Sequence, residues 1–155
     1  MASEVERIQE QLRRAFEADA WHGPSVLQLL ADINAADATA RPITNAHSIW
    51  ELVLHIAAGD RAVANRLAGG RGEVTDDENF PTITETSEDA WQAALQTLKA
   101  AYRELHDAIG VVEEAWLDGP IGEGMSSVYI QLHGVIQHDL YHAGQIAILK
   151  RALRP

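Results

Sequence analysis

The sequence predicts an all-α fold, a four-helix bundle running up-down-down-up with a long crossover loop between its second and third helices. Three observations carry that expectation. Apolar residues recur at helical spacing through four long segments, and no run alternates at period two. Each of those segments opens on serine or threonine, whose hydroxyls cap helix N-termini. At 155 residues, 46% hydrophobic and 23% charged, the chain (1–155) reads as a single domain that buries its own core.

The first helix begins near Ser3 and sets Val5, Ile8, Leu12, Ala15 and Phe16 on one stripe. His22-Gly23-Pro24 interrupts it, and Pro24 suits an early position of a renewed helix with Val26, Leu27, Leu29 and Leu30. Ala35 to Ile43 reads as a connector. Ser48-Ile49-Trp50-Glu51 forms a capping box that opens the second helix, which runs to Gly69-Gly70. Residues 70–86, rich in Gly, Asp, Glu, Thr and Pro, form the long loop. Thr86-Ser87-Glu88-Asp89 caps the third helix, whose face carries Trp91, Leu95, Leu98, Tyr102, Leu105 and Ile109. A connector punctuated by Asp118-Gly119-Pro120, Gly122 and Gly124 leads to Ser126-Ser127, the start of the fourth helix, which ends near Leu153. Trp21, Trp50, Trp91 and Trp116 are expected as core or interface aromatics.

Composition excludes several functions. With 23 Asp and Glu against 12 Lys and Arg, the net charge of −11 repels a phosphate backbone, so nucleic acid is not an expected partner. Lys150, Arg151 and Arg154 are expected to complement the negative end of the last helix. The chain has no cysteine, which removes disulfides, thiolate zinc sites and a thiol nucleophile, and fits a cytoplasmic protein. Its charged N-terminus has no signal-peptide core, and no apolar stretch is long enough to span a membrane.

The chemistry lies in histidines. His138-Asp139-Leu140-Tyr141-His142 places two imidazoles four residues apart on one helix face, within the core stripe Val128, Leu132, Val135, Ile146, Leu149, Leu153. His55 sits beside core positions Leu52 and Ile56 of the second helix. Three histidines from two facing helices can hold one metal and leave an open coordination position. His55 lies about 10 Å from the start of its helix and about 20 Å from its end, whereas His138 and His142 lie about 16 and 22 Å along theirs. The heights match only if the second and fourth helices are antiparallel. That demands the up-down-down-up order and one lengthwise connection, and about 17 residues at 3.3 Å reach more than the 30 Å or so required.

Competing readings are weaker. The His pair has the spacing of a zincin HExxH motif, but Asp139 stands where that motif needs a glutamate and is one carbon short for a general base. Asp76-Asp77-Glu78 lacks the spacing of a calcium loop and reads as a solvated acidic stretch. His22, His47, His106 and His133 are expected in surface or capping roles. Neutral imidazoles suit zinc, nickel, copper or iron, so ligand type leaves the metal open.

His47-Ser48-Ile49-Trp50-Glu51-Leu52-Val53-Leu54-His55-Ile56-Ala57-Ala58 and Gly134-Val135-Ile136-Gln137-His138-Asp139-Leu140-Tyr141-His142-Ala143-Gly144-Gln145-Ile146 resemble the DinB/YfiT-like superfamily, as does Asn79-Phe80-Pro81 ahead of a Trp-bearing helix. The resemblance implies the same bundle, a divalent metal on His55, His138 and His142 (nickel or zinc foremost, iron or manganese next) and a homodimer. Its branches imply a metal-dependent enzyme using a low-molecular-weight bacterial thiol with a small-molecule substrate, as S-transferase or isomerase. The alternatives are a metal-dependent hydrolase and a non-catalytic, stress-associated metal- or ligand-binding dimer; whether the chain is an enzyme stays open at this stage.

Glu51, Asp139 and Gln145 are candidates to hold an imidazole N–H, against the simpler expectations that Glu51 completes its capping box and Asp139 faces solvent or another helix. Gly59, one turn beyond His55, stands where the resemblance implies an aromatic. It serves either close packing, with a neighbouring helix or an aromatic such as Phe80 or Trp91 approaching, or a wider cavity beside the metal.

Overall fold

The computed structural model describes residues 1–154 and, among them, contains helices and no named strand. Four helices are long: α1 (Glu4–Phe16), α4 (Ile49–Leu67), α6 (Glu88–Gly110) and α7 (Val128–Leu153). Three short ones lie in the connections: α2 (Val26–Leu30), α3 (Ala35–Thr39) and α5 (Asp76–Asn79). Every α-helix carries a side-chain cap, whereas the 3-10 turn Glu114–Trp116 has none. Ser3, Ser25, Ser48 and Thr75 form reciprocal capping boxes with the glutamate or glutamine three residues on, while Asn34, Ser87 and Ser127 cap with the side chain alone.

The up-down-down-up order is borne out by pairs along each interface. Trp50 and Trp91 meet near the starts of α4 and α6 (5.2 Å between ring centroids), and Arg61 and Glu104 meet further along both (3.5 Å), so these helices run parallel. His55 faces His138 and Arg66 bonds Gln131, so α4 and α7 run antiparallel. Phe16 stacks on Tyr102 at 4.0 Å while Gln9 reaches His106, which makes α1 antiparallel to α6. The crossover loop therefore spans the bundle lengthwise, as a parallel α4–α6 pair requires.

All five residues of the α1 stripe are buried, as are Trp91, Leu98, Tyr102, Leu105 and Ile109 on α6. Trp91 is fully enclosed, and its indole N–H donates to the Ile33 carbonyl at 2.8 Å.

The connections depart from the sequence expectations. Pro24 lies outside the renewed helix, because Ser25 takes the N-cap and α2 lasts only 5 residues. The Ala35–Ile43 connector contains α3, and the 70–86 loop contains α5. Both are single turns made by a local cap, too short to show periodicity. Trp21 is fully exposed instead of packed, since α1 ends at Phe16 and the chain turns away at Asp19 (φ 67°) before reaching it. Lys150 and Arg154 do more than meet a helix dipole: both bond Asp32, and Arg154 also reaches Asp37, tying the end of α7 to the α2–α3 segment. Among the described residues no helix is long and apolar enough to cross a membrane.

Candidate metal centre

The three predicted histidines come together between α4 and α7. Each offers a ring nitrogen, and these atoms lie within 4.8 Å of one another. Nε2 of His55 stands 2.9 Å from Nε2 of His138, and His142 meets both rings edge-on with centroids 4.5 Å away. His142 is 7% exposed, whereas the His138 side chain keeps 30% of its surface, so the cluster is walled on one side and open on another.

The outward edges of the rings fix their tautomers. Nδ1 of His55 faces the Asn79 carbonyl at 3.3 Å, and a carbonyl can only accept, so that nitrogen carries the hydrogen. Nδ1 of His142 faces Oε1 of Gln145 at 2.6 Å, with the same consequence. Both residues therefore present Nε2 lone pairs inward. Two nitrogens each about 2.1 Å from one ion stand about 3.0 Å apart at a right angle and about 3.4 Å at the tetrahedral angle, so the 2.9 Å separation suits ligands of a shared cation. The donor set fits a divalent metal.

Electrostatics act in the same direction. Burial, reinforced by the neighbouring imidazole of His138, lowers the pKa of His55, and burial alone lowers that of His138. For His142, burial outweighs the bond to Gln145 and pushes the pKa down to about 4. All three rings are thus neutral near pH 7, with no proton to displace before coordination.

The flank is aromatic. Phe80, delivered by the crossover loop, stacks on His55 (4.3 Å, 7°) and on His47 (3.9 Å, 3°) in a three-ring sandwich. The loop demanded by topology thus also clamps one histidine, through a ring and a carbonyl.

The supporting residues sort clearly. Gln145 holds an imidazole. Glu51 does not: it completes the Ser48 box and takes Arg41 at 2.6 Å, and although burial raises its pKa, the Ser48 and Arg41 bonds outweigh it. Asp139 faces another helix rather than solvent: it is fully buried beside Asp60 of α4, with one oxygen 3.5 Å from Nδ1 of His138. Gly59 serves close packing by a neighbouring helix rather than by Phe80 or Trp91: a Cβ built there would lie 2.9 Å from Cε1 of His138 on α7. The glycine makes room for the imidazole itself.

Of the other histidines, His47 joins the site's rim through Phe80, His106 contacts Gln9, and Tyr129 packs on His133. His22 and the acidic side chains of Asp76, Asp77 and Glu78 supply no ligand to the cluster. Two features were missed from the sequence. The Asn79 carbonyl has no side-chain signal, but Asp60 had one: an acid four residues after Ile56 and three before Val63, hence on a core stripe.

Comparison with known proteins gives a consistent picture. The family described as the DinB superfamily matches residues 6–146. The crystal structure of a conserved protein from Enterococcus faecalis is similar over 98% of each chain, with a TM-score of 0.75 and 17% identity, a likeness of fold. No protein of curated function matches.

Proposed function

The chain belongs to the DinB superfamily, and from that membership together with the triad we propose that it holds one divalent metal through His55, His138 and His142 and acts as an enzyme on a small molecule with a low-molecular-weight thiol as cosubstrate. Nickel or zinc comes first, with iron or manganese next, on the family resemblance, since three neutral imidazoles do not by themselves choose among divalent metals. The observation that carries the reading is the convergence of the ring nitrogens, with the outer edges of His55 and His142 turned onto fixed acceptors. A bound divalent ion supplies Lewis acidity, which favours a thiolate near neutral pH.

The chain's own residues do the rest. Gln145 and the Asn79 carbonyl keep two imidazoles in the ligating tautomer, and Phe80 excludes water from the His55 flank. A hollow of about 230 Å³, lined by Ile43, Leu52 and Ile148 with His47 and Gln145 at its edge, adjoins these supports and can seat the apolar part of a substrate. With no cysteine in the chain, the sulfur must come from the cosubstrate. Since small thiols stay reduced in the cytoplasm, that location belongs to the same proposal. So does a homodimer without nucleic acid or membrane partners. On α7, Ile130, Tyr141 and Ile148 are well exposed on one outward stripe, an apolar face suited to a second copy.

Protein stripped and reloaded with nickel or zinc should take up one equivalent per chain, and light scattering should report twice the 17.0 kDa chain mass. Electrophiles screened with and without small bacterial thiols should turn over only with the thiol. Thiol-independent hydrolysis would assign the hydrolase alternative, and bound metal without turnover, with a large melting loss on chelation, a structural role. Failure to bind any divalent ion overturns the reading.

Gly59→Ala provides an independent check on geometry. Removing a mid-helix glycine stabilises a helix by about 1 kcal/mol, and the His138 ring can swing aside, so the melting temperature should hold or rise slightly. The displaced ring should weaken metal binding about 10- to 100-fold, as loss of an outer support does. Unchanged affinity in a competition titration would show that His138 does not need its place against α4.

A further inference from the structure

The face of α7 turned away from the triad borders a hollow that the proposed chemistry leaves unused. Gly144, on its wall, stands two residues after His142, about 200° around the helix, so hollow and histidines lie on opposite sides of α7. The hollow measures about 520 Å³, a size that suits a small molecule. Leu29 of α2 meets Leu140 and Ala147 of α7 in an apolar floor, with Pro24 and His22 from the segment ahead of α2. Trp21, next to His22, is fully exposed, a large apolar ring without cover from its own chain.

The charge of the hollow runs against that of the chain. The protein carries a net charge of −11, yet Lys150, Arg151 and Arg154 line this wall and no Asp or Glu does. Asp32 bonds both Lys150 and Arg154, and Asp37 also takes Arg154, so two of the three cations are tethered. The Leu29 carbonyl fixes Lys150 further, at 3.0 Å. Arg151 pairs with no acid among the described residues, which leaves three cations against two carboxylates and one positive charge uncompensated. Gly144 adds room. A glycine inside a helix is destabilising relative to alanine, and a Cβ built here would meet nothing within 4 Å, so no internal contact accounts for the missing side chain.

We propose that this hollow binds a small amphipathic carboxylate, with its apolar body on the α2–α7 floor and its single negative head on Arg151 beside Lys150 and Arg154. One uncompensated positive charge suits a monoanion, and the guanidinium of Arg151 offers a carboxylate two parallel N–H donors. An inorganic anion would leave the apolar floor in water, whereas an organic body covers it. Because Lys150 and Arg154 are already held, little ordering is required of them on binding. Neither the triad nor Gln145, Asn79 or Phe80 lines the hollow, so the site does not rest on the metal reading.

Decanoate, kept below its micellar concentration, is the probe, with decylamine, decanol and inorganic phosphate as controls. Calorimetry on the full chain should give one decanoate per chain, and amide shifts in NMR should centre on Gly144 and Ala147. Decylamine and decanol should bind at least about tenfold more weakly, since neither brings a negative charge to the cations. Arg151→Glu should lose about tenfold by reversing the uncompensated charge. Gly144→Leu, whose Cβ meets no neighbour, should fill the floor and lose at least as much while the protein melts no lower than the parent. The two variants act separately, so either decides should the other fail to fold. The proposal is overturned if decanoate does not bind, if its shifts fall on another face, or if both variants bind it like the parent. Equal binding of decanol or decylamine would overturn it by showing an apolar patch blind to charge, and equal binding of phosphate by showing no use for the floor. Loss of metal binding would change none of these outcomes, so the two readings fail separately.

Discussion

Replacing His138 and His142 together with alanine is expected to abolish metal binding while leaving the fold intact. Structural zinc sites bind with about 10–16 kcal/mol across four ligands, so each ligand accounts for about 2.5–4 kcal/mol, and losing two should weaken binding by roughly four orders of magnitude or more. The fold should tolerate the change, because the histidines are surrounded by a core that does not depend on them: Leu132, Val135, Ile146 and Leu149 remain on α7 against α4 and α1. Circular dichroism should match the parent, and isothermal titration should show no heat of binding with nickel or zinc. Stoichiometric binding in the double variant would sink the assignment of the triad.

Trp91→Ala should have the largest effect on stability. The indole is fully enclosed, lies against Trp50, and donates to the Ile33 carbonyl. Truncating a buried tryptophan costs about 3–5 kcal/mol, and the stranded carbonyl adds about 1 kcal/mol. In a chain of this length each kcal/mol moves the melting temperature by about 2–4 °C, giving a fall of roughly 10–20 °C. Trp91 also holds the near ends of α4 and α6 together beside α3, so the loss should appear in metal-free and metal-loaded protein alike. A fall below about 4 °C would show that this end of the bundle is not central to its stability.

The sequence displayed what periodicity and capping encode. Ser48 with Glu51 opens α4 and Ser127 opens α7 because the local pattern alone determines those turns. Matching heights of His55 and His138 along their helices implied the antiparallel pairing and hence the crossover, since a metal cluster is a distance constraint as strong as a contact. Three things were hidden. α3 and α5 are single turns, below the length at which an apolar stripe can show. The Asn79 carbonyl that orients His55 is backbone, and any residue type would supply it. Gly59 gave a signal without a cause, because the atom it accommodates belongs to a residue 79 positions further on, and only packing reveals that proximity.

The parallel pairing of α4 with α6 has a further consequence for the order of assembly as the chain is made. His55 is in place early, but its partners lie 83 and 87 positions later, on the last helix. During synthesis, at about 5–20 residues per second, α1, α4 and α6 can pack while α7 is still within the ribosome. The loop carrying Asn79 and Phe80 has by then closed over one imidazole. A nascent chain therefore offers a passing metal ion a single histidine, too weak a ligand to retain it, until α7 docks and delivers the remaining two in one step. On the proposed metal reading, loading is coupled to completion of the bundle, and an ion is captured by the packed bundle rather than by the folding intermediates that precede it.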